Sequence, residues 1–241
     1  MTLKIAMLAA LLPTLALAQP PASEVAITAE AHHHLVLENS QVRVFLVEVP
    51  PHAETLMHRH DLDYVFVTLR SAEIENDVAG KPPVTLKLQD GETRFAAGGF
   101  SHLIKNLADA PFRNVTIELL HGTAGAAAPA PAPAAAGGDK PRELAGWTVT
   151  PLFVKDGVKV SDVRLKGGSG LPKHHHDGPH LVVAVTDLLL FSEVEGQAAT
   201  TLMLKPGEVA WVPGGITHTV TNPQQREVRL ITLEFPAGAS K

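Results

Sequence analysis

The sequence predicts an all-β protein in which one β-rich unit occurs twice. Three observations lead there. Short runs of valine, leucine and threonine recur between Gly, Pro, Asn and Asp, while amphipathic stretches of helix length are hard to find. The chain matches itself at a constant offset of 116 residues, with 21 identities in 78 ungapped pairs when residues 42–119 are set against 158–235. A stretch of almost pure alanine, proline and glycine divides the copies. The 241 residues, 45% hydrophobic, suffice for two packed units of about 100 residues each.

Taken in order, the first segment is residues 1–18. Lys4 precedes a continuous apolar run over residues 5–17, and Ala16-Leu17-Ala18 forms a small-x-small cleavage site before Gln19. This is the layout of a secretory signal peptide, cleaved after Ala18, and it predicts a periplasmic or secreted protein. The run is short for a membrane span and Pro13 interrupts it, so no membrane association is expected after cleavage. A lipoprotein anchor would need a cysteine there, and the chain has none.

Residues 19–121 form the first unit, with strand-like runs VRVFLVEV, YVFVTL, VTLKLQ and RNVTIELL. Residues 122–141 read as a linker: alternating Ala-Pro favours an extended spacer, and nothing in it could build a core. Residues 142–241 form the second unit, with VKVSDVRL, HLVVAV, TTLMLK and VRLITLEF. Period-2 runs at this spacing suit a sandwich or barrel, and LVVAV is apolar on both faces, as in a strand covered on both sides.

Composition narrows the chemistry. Without cysteine there is no disulfide and no thiolate, so any metal must be held by imidazole and oxygen. The net charge of −5 and the lack of a basic cluster exclude nucleic acid as an expected partner. A small-molecule substrate is the expected partner, and exposed strand edges leave a homodimer open.

The thirteen histidines carry the functional signal. On a strand, His174 and His176 project from one face while His175 points away, and His180 keeps the parity of the pair. A Pro213-Gly214-Gly215 turn delivers His218 on another strand. Four convergent imidazoles call for a shared divalent cation, because neutral imidazole is the commonest metal ligand.

These residues resemble the paired motifs of the cupin superfamily. Gly168, His174 and His176 match the first block, and Gly207, Pro213, Gly215, His218 and Asn222 match the second at every spacing. His180 stands where most metal cupins have glutamate, a departure also seen in small four-histidine cupins. The resemblance implies a double-stranded β-helix, or small jelly-roll barrel, in each copy, hence a two-domain bicupin. It makes His174, His176, His180 and His218 the main metal site. In the first copy His58, His60 and His102 match three ligand positions, with Tyr64 at the fourth, His52 in place of the first glycine and Ala97 in place of the proline. That copy is expected to hold metal more weakly, with Tyr64 a hydrogen-bonding neighbour rather than a ligand.

Other residues are given blander expectations. His32-His33-His34 reads either as an accessory metal tract or, more simply since nothing nearby in the sequence completes a site, as a solvated strand entry, and His175 and His121 read as surface residues. Phe95 and Trp211 are explained equally by packing and by substrate contact, Asp61 and Asp63 are expected to point outward, and Arg94 is at best a contact for an acidic substrate in the first barrel.

Two-domain cupins include oxalate decarboxylases, quercetin dioxygenases and gentisate-type dioxygenases. Four neutral imidazoles leave a divalent metal (Fe, Mn, Cu, Ni or Zn, one per active barrel) at its full charge, with no ionised base beside it. The expected function is therefore a metal-dependent, oxygenase-like enzyme on a small acidic or enolisable substrate. The contrasting expectation is a non-catalytic periplasmic cupin that holds a metal or small ligand. A sugar-handling cupin without metal chemistry fits four histidines less well.

Overall fold

The structure is a computed structural model, and it describes residues 24–120, 142–144 and 146–238. The leader, the linker and His121 lie outside the described residues.

Ten strands come from the first copy: β1 (Val25–Ala26), β2 (His33–Glu38), β3 (Val42–Val49), β4 (His58–His60), β5 (Tyr64–Thr68), β6 (Ala72–Val78), β7 (Val84–Leu88), β8 (Thr93–Ala96), β9 (Phe100–Asn106) and β10 (Phe112–Leu119). The second copy supplies β11 (Arg142–Leu144), β12 (Trp147–Lys155), β13 (Val158–Leu165), β14 (Gly170–His176), β15 (His180–Ala184), β16 (Leu188–Val194), β17 (Thr200–Leu204), β18 (Val209–Val212), β19 (Ile216–Thr221) and β20 (Val228–Glu234). One 3₁₀ turn, Ile27–Ala29, interrupts them. The chain is all-β.

Each copy forms two sheets. In the first they run β1-β4-β9-β6-β7 and β2-β3-β10-β5-β8; in the second, β11-β12-β13-β20-β15-β18 and β14-β19-β16-β17. Each copy is thus a jelly roll of two sheets, as the sequence led one to expect. Pairing is antiparallel except for β1 on β4, where Val25 lies beside His58 and Ala26 beside Arg59.

Strand alternation builds two kinds of core. In β5, Tyr64 and Phe66 face the interior of the first copy with Phe45, Val47 and Phe112. Val65 and Val67 point the other way. There they meet Val42, Val44, Leu69, Val115, Ile117 and Leu119, and also the second copy's Val158, Val160, Leu181, Val183, Val185, Ile231, Leu233 and Phe235. Every one of these residues is related to its opposite number by the same offset of 116. The two jelly rolls therefore join back to back through one pseudo-symmetric apolar layer. This is why β5 and β15 are covered on both faces. Polar contacts rim it: Arg229 donates to the carbonyl oxygens of Asp90 (2.7 Å) and Gly91 (3.2 Å) across the junction.

The motif residues outside the metal site also acquire reasons. Gly168 has φ +71°, and His52, its counterpart, is forced to φ +58° in the same left-handed region. Asn222, fully buried, donates to the carbonyls of Leu165, Lys166 and Arg226 and accepts from the Gln224 N–H. Asn106 does the same with Val49, Pro50, Ala110 and Ala108. These asparagines clamp a strand end to the loop after the motif; they are structural braces.

Candidate metal centres

Each motif strand presents its histidines as the pleat requires. His58 and His60 project from one face of β4, and His102 lies directly across on β9. His174 and His218 are paired in the same way between β14 and β19. Ring centroids are 4.6 Å apart for His58 and His102 and 4.5 Å for His174 and His218.

In the second copy the ligand atoms of His174, His176 and His218 all lie within 4.8 Å of one another. Their other nitrogens are engaged. His174 Nδ1 bonds the Pro172 carbonyl at 2.7 Å, His218 Nδ1 the Ser192 hydroxyl at 2.9 Å, and His176 Nδ1 lies 3.3 Å from a Glu234 carboxylate oxygen. A proton on each Nδ1 leaves each Nε2 with its lone pair, and the tautomer is set by these partners. His218 Nε2 is buried without a partner. His180 lies outside that group: it stacks on His176 at 4.1 Å, 6.5 Å from the His218 ring, and its Nδ1 is also buried and unpartnered.

The first copy repeats the scheme in a more enclosed form. His58, His60 and His102 are 0%, 1% and 7% exposed. His58 Nδ1 bonds the Leu56 carbonyl at 2.8 Å, matching Pro172, and His102 Nδ1 bonds Asn76 Oδ1 at 2.8 Å, at the position matching Ser192. His60 and His102 bring their Nε2 atoms to 3.1 Å. Tyr64 stacks on His60 at 4.2 Å, as His180 stacks on His176. Burial and then the charge of Glu118 push the phenol above its usual range, so Tyr64 stays protonated and forms a wall.

One expectation is overturned here. His33 is no solvated strand entry: its side chain is 5% exposed and its ring sits 4.6 Å from that of His58. The pairing of β2 with β3 sets His33 beside Val47, which faces the interior, so the pleat turns both inward. His33, His58 and His60 form a second group with ligand atoms within 4.8 Å. His34, one residue on, is exposed. Sequence reasoning also passed over Glu30, Asn76, Ser192 and Glu234. The contacts between distant strands and loops that make them histidine partners are not legible in the sequence.

The remaining residues divide. Asp63 is buried, not outward, with Oδ1 accepting from the Gly98 N–H at 2.9 Å and Lys155 nearby at 3.7 Å. Asp61 is exposed, paired with Arg59. His175 is on the surface, bonded to Thr217. Phe95 and Trp211 pack against the layer between the copies. Arg94 is tied to Glu92 at 2.6 Å.

Beside the first histidine group lies a cavity of about 50 Å³. Its walls include Val47, Phe66, Ile74, Leu86, Ile104 and Phe112, with Thr55, Asn76, Asn114 and Thr116 as polar points and no lysine or arginine. Burial is the main reason the histidines shed their protons: His58 falls to about 4, His218 to about 4 and His180 to about 3, while His60 and His102 fall well below the usual value. Neutral imidazole is the ligating form. Buried, unpartnered ring nitrogens at His58 Nε2 and His218 Nε2 fit a divalent metal, which would supply the missing bond.

Solved structures place this architecture. No family model matches the chain, and no curated protein matches it. The chain is similar to the 7S globulin of Momordica charantia (12% identity, 81% of this chain and 73% of that one, TM-score 0.61). It is similar to a cupin 2 conserved barrel domain protein from Leptotrichia buccalis (14%, 85% and 88%, TM-score 0.54) and to oxalate decarboxylase from Bacillus subtilis, a protein with Mn(II) centres (13%, 84% and 74%, TM-score 0.60). The fold is that of the cupins. The match covers 85% of the chain and so extends over both copies; each carries the cupin fold and a histidine group.

Proposed function

We propose that the protein is an exported bicupin that binds a divalent transition metal in each domain and acts as an oxygenase-like enzyme on a small acidic or enolisable compound. The observation that carries this reading is the shared tautomer scheme. In both domains a backbone carbonyl and a side chain at offset-matched positions hold the Nδ1 protons and aim Nε2 lone pairs at one point. His58, His60 and His102 would hold the metal in the first domain, and His174, His176 and His218 in the second. Bound there, the metal would supply Lewis acidity toward an oxygen of the substrate.

The chain's own residues define the rest. The cavity admits only a compact molecule, since a single water needs roughly 10–15 Å³ of the same kind of space. Thr55, Asn114 and Thr116 offer hydroxyl and amide groups that orient polar atoms. No cationic side chain lines the cavity, so a substrate's negative charge has only the metal to balance it. No carboxylate is among the residues that line the cavity, which disfavours a mechanism needing a base among the ligands. The likeness to a Mn(II)-containing oxalate decarboxylase offers a precedent for metal chemistry in this fold.

The test is oxygen uptake by metal-reconstituted protein against a panel of small enolisable diketones and 2-oxo acids. Substrate-dependent uptake that disappears in His58→Ala or His174→Ala supports the enzyme. Metal retention with no turnover across the panel replaces it with the holding function, which the near-complete burial of the first site favours.

A further inference from the structure

The first domain contains a histidine that neither repeat motif supplies. At the matching position of the second copy stands Val149, which packs against that domain's core, so the feature belongs to one domain only. His33 Nδ1 lies 2.6 Å from a Glu30 carboxylate oxygen, and Glu30 is 2% exposed. The same carboxylate accepts from the backbone N–H groups of His32 (2.9 Å) and Leu56 (3.2 Å). Leu56 in turn accepts from His58. Glu30 is thereby bonded to one metal-facing histidine and, through a single residue, to a second.

A buried carboxylate with no metal of its own needs a reason. Here every contact comes from a donor: the His33 ring at 2.6 Å and the two backbone N–H groups, with no second acid beside it among the described residues. An ionised carboxylate on Nδ1–H makes the opposite nitrogen, Nε2, a stronger donor to a cation. His33 belongs to the group whose ligand atoms lie within 4.8 Å of one another, with His58 and His60.

We propose that His33 is a metal ligand of the first domain, oriented and made more basic by Glu30, so that metal binding fastens residues 24–38 to the jelly roll. This rests on the reading that the histidine groups bind metal, and extends it. The pair also changes the balance of the site: it places a negative charge one bond behind a ligand, where the motif histidines provide none. The parallel contact of β1 with β4 sets the same segment against the strand carrying His58 and His60, so the two attachments reinforce each other.

The experiment uses the full chain with His174→Ala and His218→Ala, so that the first site alone is read, titrated with Co(II) and followed by its visible absorption. Adding His33→Ala should weaken Co(II) binding by at least about 100-fold and shift the absorption bands. Glu30→Gln should weaken it about 10- to 100-fold with smaller spectral change. His33→Gln, which keeps an N–H toward Glu30 but offers no imidazole, should behave as His33→Ala and guards against a packing loss. Limited proteolysis adds a second readout: Co(II) should protect the bonds around residues 24–38 in the parent and not in either His33 variant. Unchanged affinity and spectrum in both His33 variants would overturn the assignment while leaving the motif site standing. Failure of the parent itself to bind Co(II) would instead remove the reading beneath it.

Discussion

Replacing Ile117 by alanine should destabilise a domain that does not contain it. Ile117 is fully buried in the apolar layer shared by the two jelly rolls, opposite a set that includes its counterpart Leu233. Truncating a buried isoleucine costs about 2–5 kcal/mol, with about 3 a fair central value. At about 2–4 °C per kcal/mol for a chain of this size, the midpoint should fall by about 6–12 °C. Both tryptophans, Trp147 and Trp211, lie in the second domain, so their fluorescence reports that domain alone. If the layer couples the domains, the tryptophan transition shifts although the mutation is in the first domain, and it coincides with the loss of β-sheet circular dichroism. An unmoved tryptophan transition, with a separate earlier step in circular dichroism, would show that the domains fold independently. Cleavage within residues 121–141 should likewise leave the two halves together.

Other outcomes follow from the same geometry. Asn222→Ala removes a fully buried amide whose two N–H hydrogens are shared among three carbonyls and whose oxygen accepts one bond; three net bonds at about 1 kcal/mol each should cost about 3 kcal/mol, read by calorimetry, with metal content per folded chain retained. A cost under about 1 kcal/mol would contradict the clamp. The metal-free protein should lose stability on acidification. The folded His58 has its pKa lowered from 6.5 to about 4, so its contribution is complete above pH 6.5 and lost as pH falls toward 4. That residue alone accounts for about 2 kcal/mol by pH 5. A flat profile of stability between pH 7 and 4.5 in chelated protein would refute this.

Much of the fold was legible because the duplication doubles every signal. The offset of 116 set the strands, the turns and three histidine pairs, and the two-residue spacing of His58 and His60 was enough to put them on a shared face. What escaped was what depends on register between distant strands. His33 sits in a run of three histidines, HHHLVLE, whose middle member is singled out only by pairing with Val47. Glu234 and Glu118 occupy matched positions, yet Glu234 approaches His176 while Glu118 is drawn to Arg43 at 3.1 Å; the counterpart of Arg43 is Lys159. No local pattern predicts that difference. The apolar layer was half-read: LVVAV announced two covered faces, but the linker suggested two separate bodies, and the second cover proved to be the other domain.

The central claim is that both histidine groups are metal centres. Elemental mass spectrometry of the full chain, purified from its native source and desalted without chelator, tests it directly. The account predicts about two divalent transition-metal ions per chain, one fewer in His176→Ala and one fewer in His60→Ala, with both lost when the substitutions are combined. A chain that is folded yet carries no stoichiometric metal, and gains none on incubation with Mn(II), Fe(II) or Zn(II), would contradict it.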